Sequence, residues 1–321
     1  MDVTFDITGD PAEFSGNLRA LADAIDASVV PPPPPPGAAW GVVWPADITV
    51  ADRPALPEPP AGSNSIVITG PQTLNQSDTT YIVATDVAGT LTVSGGTSRI
   101  VIEGNGYDVS SIQLPEVWPL PGVPSVTDVV IRNVRVVGNS TGDGIKGTCT
   151  RLLMQNVECV GGPSNITRYG FWCSLGADIV IHDCVIQSQG SEAASRIVSV
   201  SNYAAWNSTF HTIANKHGFR IHGASSNVWL IDSTVRNPLW LGYSDRPNDE
   251  DLDGIHILRT EVFGEAVTGN ALQPHAGPLD LHNLDMQDCT FHGQQAPTQV
   301  AGDVATAALT NDWSIVNVVG L

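Results

Sequence analysis

A short apolar run that ends in a small polar residue recurs along most of this chain. The runs begin with Ile100-Val101-Ile102-Glu103-Gly104, Val129-Val130-Ile131-Arg132-Asn133, Leu152-Leu153-Met154-Gln155-Asn156 and Ile179-Val180-Ile181-His182-Asp183. They continue through Ala204-Ala205-Trp206-Asn207, Val228-Trp229-Leu230-Ile231-Asp232, Ile255-His256-Ile257-Leu258-Arg259, Leu284-Asp285-Met286-Gln287-Asp288 and Ser314-Ile315-Val316-Asn317. The closing residues, 104, 133, 156, 183, 207, 232, 259, 288 and 317, lie 29, 23, 27, 24, 25, 27, 29 and 29 residues apart. A period in this band is the signature of a solenoid, in which each repeat buries its apolar face on the next.

The kind of solenoid follows from the residues between the markers. Second short strands recur at Gly144-Ile145-Lys146-Gly147, Gly170-Phe171-Trp172-Cys173, Gly218-Phe219-Arg220-Ile221-His222 and Leu239-Trp240-Leu241-Gly242. Helical repeats need a 3.6-residue period, which these runs lack, and leucine-rich repeats need a fixed leucine and asparagine consensus, which is missing. Glycine (31) and proline (23) are plentiful and aromatics make up only 6%, as many short strands and turns require. The expected fold is all-β: a right-handed parallel β-helix of about eight to nine coils over residues 64–321. Stacked strands would satisfy one another's backbone groups, and Asn or Asp at each marker would tolerate a tight bend.

Two segments precede the repeat. In residues 1–30, Val3 to Ile7 suit a strand, and Asp10-Pro11-Ala12-Glu13 open a helix with an N-cap, a first-turn proline and an N3 carboxylate. That helix carries Phe14, Leu18, Leu21 and Ile25 as one apolar stripe, too short to be stable alone. It either caps its own β-helix or docks on another chain, as an anchor for assembly. Residues 31–63 form a proline-rich linker that starts with six consecutive prolines, Pro31 to Pro36. In polyproline II these extend roughly 19 Å, which favours an anchor held at a distance. The alternative is that the prolines wrap over the same domain.

Charge and cysteine usage remove several function classes. A net charge of −19 disfavours nucleic acid, whose binding depends on neutralising phosphates. No apolar stretch is long enough to span a membrane, and the acidic start Met1-Asp2-Val3-Thr4-Phe5-Asp6 is unlike a secretory signal. The five cysteines have no C-x-x-C spacing and suit small buried hydrophobes in a reducing compartment, so no metal site is expected from them.

The phrases Arg99-Ile100-Val101-Ile102-Glu103-Gly104-Asn105-Gly106 and Val129-Val130-Ile131-Arg132-Asn133-Val134 resemble the opening coils of the pectate-lyase-like β-helix superfamily. That superfamily includes polysaccharide lyases and hydrolases, and the receptor-binding spikes of tailed phages and gene transfer agents. The order of anchor, stiff linker and β-helix is similar to the spikes. The lyase signature is not matched, because Asn227-Val228-Trp229-Leu230-Ile231-Asp232 continues with Ser233 rather than histidine. The polygalacturonase set is missing as well; His217-Gly218-Phe219-Arg220-Ile221-His222-Gly223 is only superficially like it. The resemblance therefore implies a virion spike or fibre protein, made in bacterial cytoplasm and carried on a particle surface. It would hold other particle proteins through residues 1–30, recognise host-surface polysaccharide, and form a homo-oligomer, with a trimer favoured. A polysaccharide lyase or glycoside hydrolase on the same fold is the alternative.

Strand alternation nominates the binding residues. With Ile145, Phe171, Phe219 and Leu241 inward, Lys146, Trp172, Arg220 and Trp240 face outward, near His222 and Gln273, and Arg196 joins them if its register permits. Tryptophan stacks on sugar rings and basic groups pair with carboxylates or sulfates, so this set suits an acidic glycan; the same face would equally suit packing against a sister subunit or the proline-rich tract. The loop from Asp245 to Asp253 carries five carboxylates, a weak calcium candidate whose spacing matches no EF-hand. No other cofactor is indicated. The terminal run Asp312 to Leu321 lacks a polar cap and is expected to be covered by another chain.

Overall fold

The computed structural model describes residues 40–116, 125–138, 143–160, 169–189, 193–212, 217–237, 239–241, 252–264, 272–274, 281–292 and 314–319. Phe14, Leu18, Leu21 and Ile25, the six prolines and most of the Asp245 to Asp253 loop lie outside these residues.

The chain is a parallel β-solenoid, and no helix occurs among the described residues. Three faces recur. The first stacks Asn64–Ile68, Thr79–Val83, Ser98–Glu103, the leading parts of Val126–Val136 and Cys149–Val160, then Ala177–His182, Ser201–Trp206, Ser226–Ile231, Leu252–Leu258, Leu281–Gln287 and Ser314–Val316, all parallel. This column is longer than the eight to nine coils expected, because Asn64–Ile68 and Thr79–Val83 precede the first recognisable marker. The second face takes the trailing parts of Val126–Val136 and Cys149–Val160, then Val185–Ser188, Thr209–Thr212, Thr234–Arg236, Glu261–Phe263 and Thr290–His292. The third runs from Gln72–Leu74 to Leu272–Pro274 and is described with the site.

Inward residues form continuous columns. Ile100, Val129, Leu152, Ile179, Tyr203, Val228 and Ile255 are in register and fully or almost fully buried. The five cysteines are buried and unbridged, and burial pushes the thiols of Cys173 and Cys184 up to about 12. They are inert packing groups.

The markers work as expected from their residue types. Asn133, Asn156, Asp183, Asn207, Asp232, Arg259, Asp288 and Asn317 all have φ between 45° and 55°. This left-handed bend suits Asn and Asp, whose side chains bond locally. Asn156 Nδ2 donates to Asn133 Oδ1 at 2.8 Å and Asn317 Nδ2 to Asp288 Oδ1 at 2.9 Å, so consecutive bends are tied together. At the first marker the bend falls one residue later, on Asn105.

A second left-handed column opens the first face: Asp78, Arg99, Asp128, Arg151, Asp178, Asn202 and Asn227. Its acids and arginines alternate. Arg99 pairs with Asp78, and Arg151 Nε and Nη2 reach Asp128 at 2.6 and 2.7 Å. The acids, two coils apart, hold a strap. Amides of Ala55, Glu58 and Ala61 donate to Asp178, Asp128 and Asp78 at 3.0, 2.8 and 2.8 Å, and Asn227 Nδ2 donates to the Asp52 carbonyl at 3.0 Å.

Strap contacts therefore recur every three residues on the strap and every two coils on the solenoid. The two repeats match in length: one polyproline II turn rises about 9.3 Å, and two strand spacings span about 9.6 Å. Pro54 and Pro57 are buried at the same three-residue spacing. Beyond them, Asp47 pairs with Arg259 at 2.8 Å, Trp44 lies 5.2 Å from Trp206, and Ile48 is fully buried.

Residues 44–61 thus lie along their own solenoid. The physical reason is the outward column Val101, Val130, Leu153, Val180, Ala204 and Trp229, which is in register on the first face and buried, yet lies outside the central core cluster. Such an apolar strip on a solvated sheet needs a cover.

Acid should loosen the strap. The Arg99 guanidinium, then the Ala61 amide, hold the Asp78 carboxyl down at about 2. At Asp128 burial pushes the value up, but hydrogen bonds from Arg151 and the Glu58 amide outweigh it and leave it lowered. A carboxyl lowered on folding contributes stability above its ordinary value of about 3.9, and that contribution is lost as pH falls through the folded value. Stability should therefore fall between about pH 4 and pH 2, and the fall should be smaller in Asp78→Asn. Melting temperatures against pH check this.

Candidate functional site

The third face positions the nominated side chains. It contains Ile145–Gly147, Tyr169–Ser174, Ala193–Val198, His217–His222 and Leu239–Leu241, all in parallel register. Phe171, Phe219 and Leu239 point inward beside Cys173, Ile197, Ile221 and Leu241. Close approach of the second face needs glycine here: a Cβ on Gly170 would lie 2.3 Å from the Gln187 carbonyl oxygen, and one on Gly218 2.5 Å from that of Arg236.

Between the inward residues runs one outward column. Its register is Gln113, Lys146, Trp172, Arg196, Arg220, Trp240, Gln273. Arg196, whose alignment the sequence leaves open, falls in line between Trp172 and Arg220. Trp240 and Gln273 belong to the column by backbone register; their side chains are outside the described residues.

The members touch along the column. Lys146 Nζ lies 4.8 Å over the Trp172 ring and is held by Glu116 Oε2 at 3.1 Å and Asp143 Oδ2 at 3.7 Å. Asp143 Oδ1 also accepts the Tyr169 amide at 3.1 Å. Tyr169 and Trp172 have ring centroids 5.9 Å apart, and Arg196 Nη1 donates to the Tyr169 hydroxyl at 2.8 Å. The Trp172 indole N–H is buried without an acceptor. Tyr169 and Asp143 were not among the nominated residues, although Tyr169 opens the strand that the Gly170-Phe171-Trp172 phrase announces.

Two nominated residues are less open than expected. Arg220 is 7% exposed and His222 only 2%. Arg220 is flanked in register by the long side chain of Arg196. His222 lies at the corner, where its carbonyl accepts the Ser225 hydroxyl and Gly223 turns at φ 60°. The freer surface of the column is Lys146, Trp172 and Arg196.

Other candidates separate from this column. His182 stacks on Trp206 and His256 on Trp229, both on the first face. Desolvation lowers the pKa of His256, partly offset by Asp285. Among the described residues no group of His, Cys, Asp or Glu is arranged to hold a metal ion, and Asp253 Oδ1 accepts a hydrogen bond from Asn283. No described helix is long and apolar enough to cross a membrane.

No family model matches the sequence, and no relative is found among curated proteins. Among solved structures, the chain is similar to the A-module of the mannuronan C-5 epimerase AlgE4 of Azotobacter vinelandii, at 11% identity and a TM-score of 0.38, over 79% of this chain and 89% of that one.

Proposed function

We propose that the third face binds an acidic polysaccharide lengthwise along the column from Lys146 to Trp240. The observation that carries this is the succession of Lys146, Trp172, Arg196 and Arg220 on consecutive coils of a chain with net charge −19. Trp172 offers its half-exposed ring to sugar C–H groups. Arg196 offers a guanidinium to carboxylate or sulfate, for which charge-assisted bonds are the strong kind. Trp172→Ala and Arg196→Ala should each weaken binding of a polyuronate by about 2 kcal/mol, roughly 30-fold in Kd. Melting temperatures should hardly change, and a neutral glucan should bind none of the proteins. Equal binding by wild type and both variants, in affinity electrophoresis or calorimetry, defeats the proposal. Chain shortening of the polyuronate in the same mixtures would instead support a lyase or hydrolase.

The fuller form of the proposal places this surface on a virus-like particle, attached through Phe14, Leu18, Leu21 and Ile25, with host-surface polysaccharide as the ligand. It rests on the order of anchor, proline tract and solenoid in the sequence. Leu18→Asp with Leu21→Asp should abolish incorporation into particles and leave polyuronate binding unchanged; normal incorporation would remove the anchor role.

A further inference from the structure

We infer that the two ends of the solenoid fit one another, so that a second copy of this chain stacks head to tail on the first. Among the described residues, the strand Asn64–Ile68 pairs only with Thr79–Val83, and Ser314–Val316 only with Leu281–Gln287. Among these residues neither strand has a partner on its other edge. The register carried from coil to coil places Ser65, Ile66 and Val67 in the same three columns as Ser314, Ile315 and Val316. The two edge strands thus carry the same tripeptide at equivalent positions. Stacked end on end, they would set serine on serine, isoleucine on isoleucine and valine on valine, the relation that neighbouring coils have throughout the molecule.

Exposure and composition support the same partner. Val67 is 61% and Val316 43% exposed, and Ile66 and Ile315 are only partly covered while packing on the core. Edge strands are ordinarily protected by lysine, proline, inward charge or a bulge. Neither tripeptide has any of these, and both are rich in β-branched residues suited to sheet pairing. The contact is heterologous, with one surface meeting a different surface, so it propagates rather than closing into the expected trimer. Repulsion between chains of charge −19 opposes it, which makes association stronger as salt rises.

Paired cysteines test the geometry. In-register parallel neighbours lie about 4.8 Å apart, within disulfide reach, and the native cysteines are buried. The full chain with Ser65→Cys and Ser314→Cys should give a ladder of disulfide-linked oligomers on mild oxidation, whereas either substitution alone should give none. Dimers from a single substitution would indicate a symmetric contact and overturn the inference, as would a double variant that stays monomeric. Sedimentation velocity supplies a second test through Val67→Lys and Val316→Lys, both at exposed positions. Each alone should sediment as monomer while wild type associates, and mixing the two should restore dimers and nothing longer. Association of either variant to the wild-type extent would overturn the inference.

Discussion

A chain beginning at Ala61 should lose about 3–6 kcal/mol of stability, although every repeat strand is retained. The sequence alone places the solenoid at residues 64–321 and reads residues 31–63 as a linker. The loss comes from what residues 44–60 cover. Val101, Val130, Leu153 and Val180 point away from the core and are buried nonetheless. Fully exposing a branched aliphatic side chain costs about 1.5–3 kcal/mol. About half of that for each of the four, since neighbouring coils still shield them, gives the stated loss. Urea unfolding of the shortened chain should show a lower midpoint, and its native state should bind a hydrophobic dye that wild type does not. A synthetic peptide of residues 44–61 added in excess should reverse both changes. An unchanged midpoint would mean that the apolar strip needs no cover.

Asp128→Ala should cost about 3 kcal/mol, the low end of the range for breaking a buried ion pair. The Asp128 side chain is 2% exposed and receives both Arg151 nitrogens and the Glu58 amide. Its backbone sits at φ 59°, a conformation alanine adopts reluctantly. The low end is chosen because Arg151 is 31% exposed and recovers part of its hydration. Asp128→Asn keeps an acceptor for Glu58 and tolerates the bend, so about 1 kcal/mol is expected. Equal losses in the two variants would assign the effect to the lost charge facing Arg151, since asparagine keeps both the bend and an acceptor for Glu58.

The repeat was legible because one physical requirement, a left-handed bend after each core strand, selects Asn or Asp at regular intervals. The outward column of the third face was legible for a similar reason: alternation puts Lys146, Trp172 and Arg220 on the side opposite Ile145, Phe171 and Phe219. The strap was harder to see. Pro54, Pro57 and Pro60 acquire meaning only when three strap residues are set against two coils, and the Asp78, Asp128 and Asp178 positions that receive it lie 50 residues apart. A clue was present in the runs themselves. Ile100-Val101-Ile102 and Val129-Val130-Ile131 are apolar at consecutive positions, which marks strands buried on both faces. A solenoid facing water would alternate. The burial of Arg220 and the Arg196 bond to Tyr169 depend on side-chain packing between coils, which periodicity does not encode.

We propose that an acidic polysaccharide lies along the third face of the strapped solenoid. The most direct measurement is a crystal structure of the full chain with a uronic acid oligosaccharide. Sugar density is expected to run across coils along Lys146, Trp172, Arg196 and Arg220, with a ring over or beside Trp172 and a carboxylate at Arg196. Sugar density confined to the first or second face, with the third face empty, would contradict it.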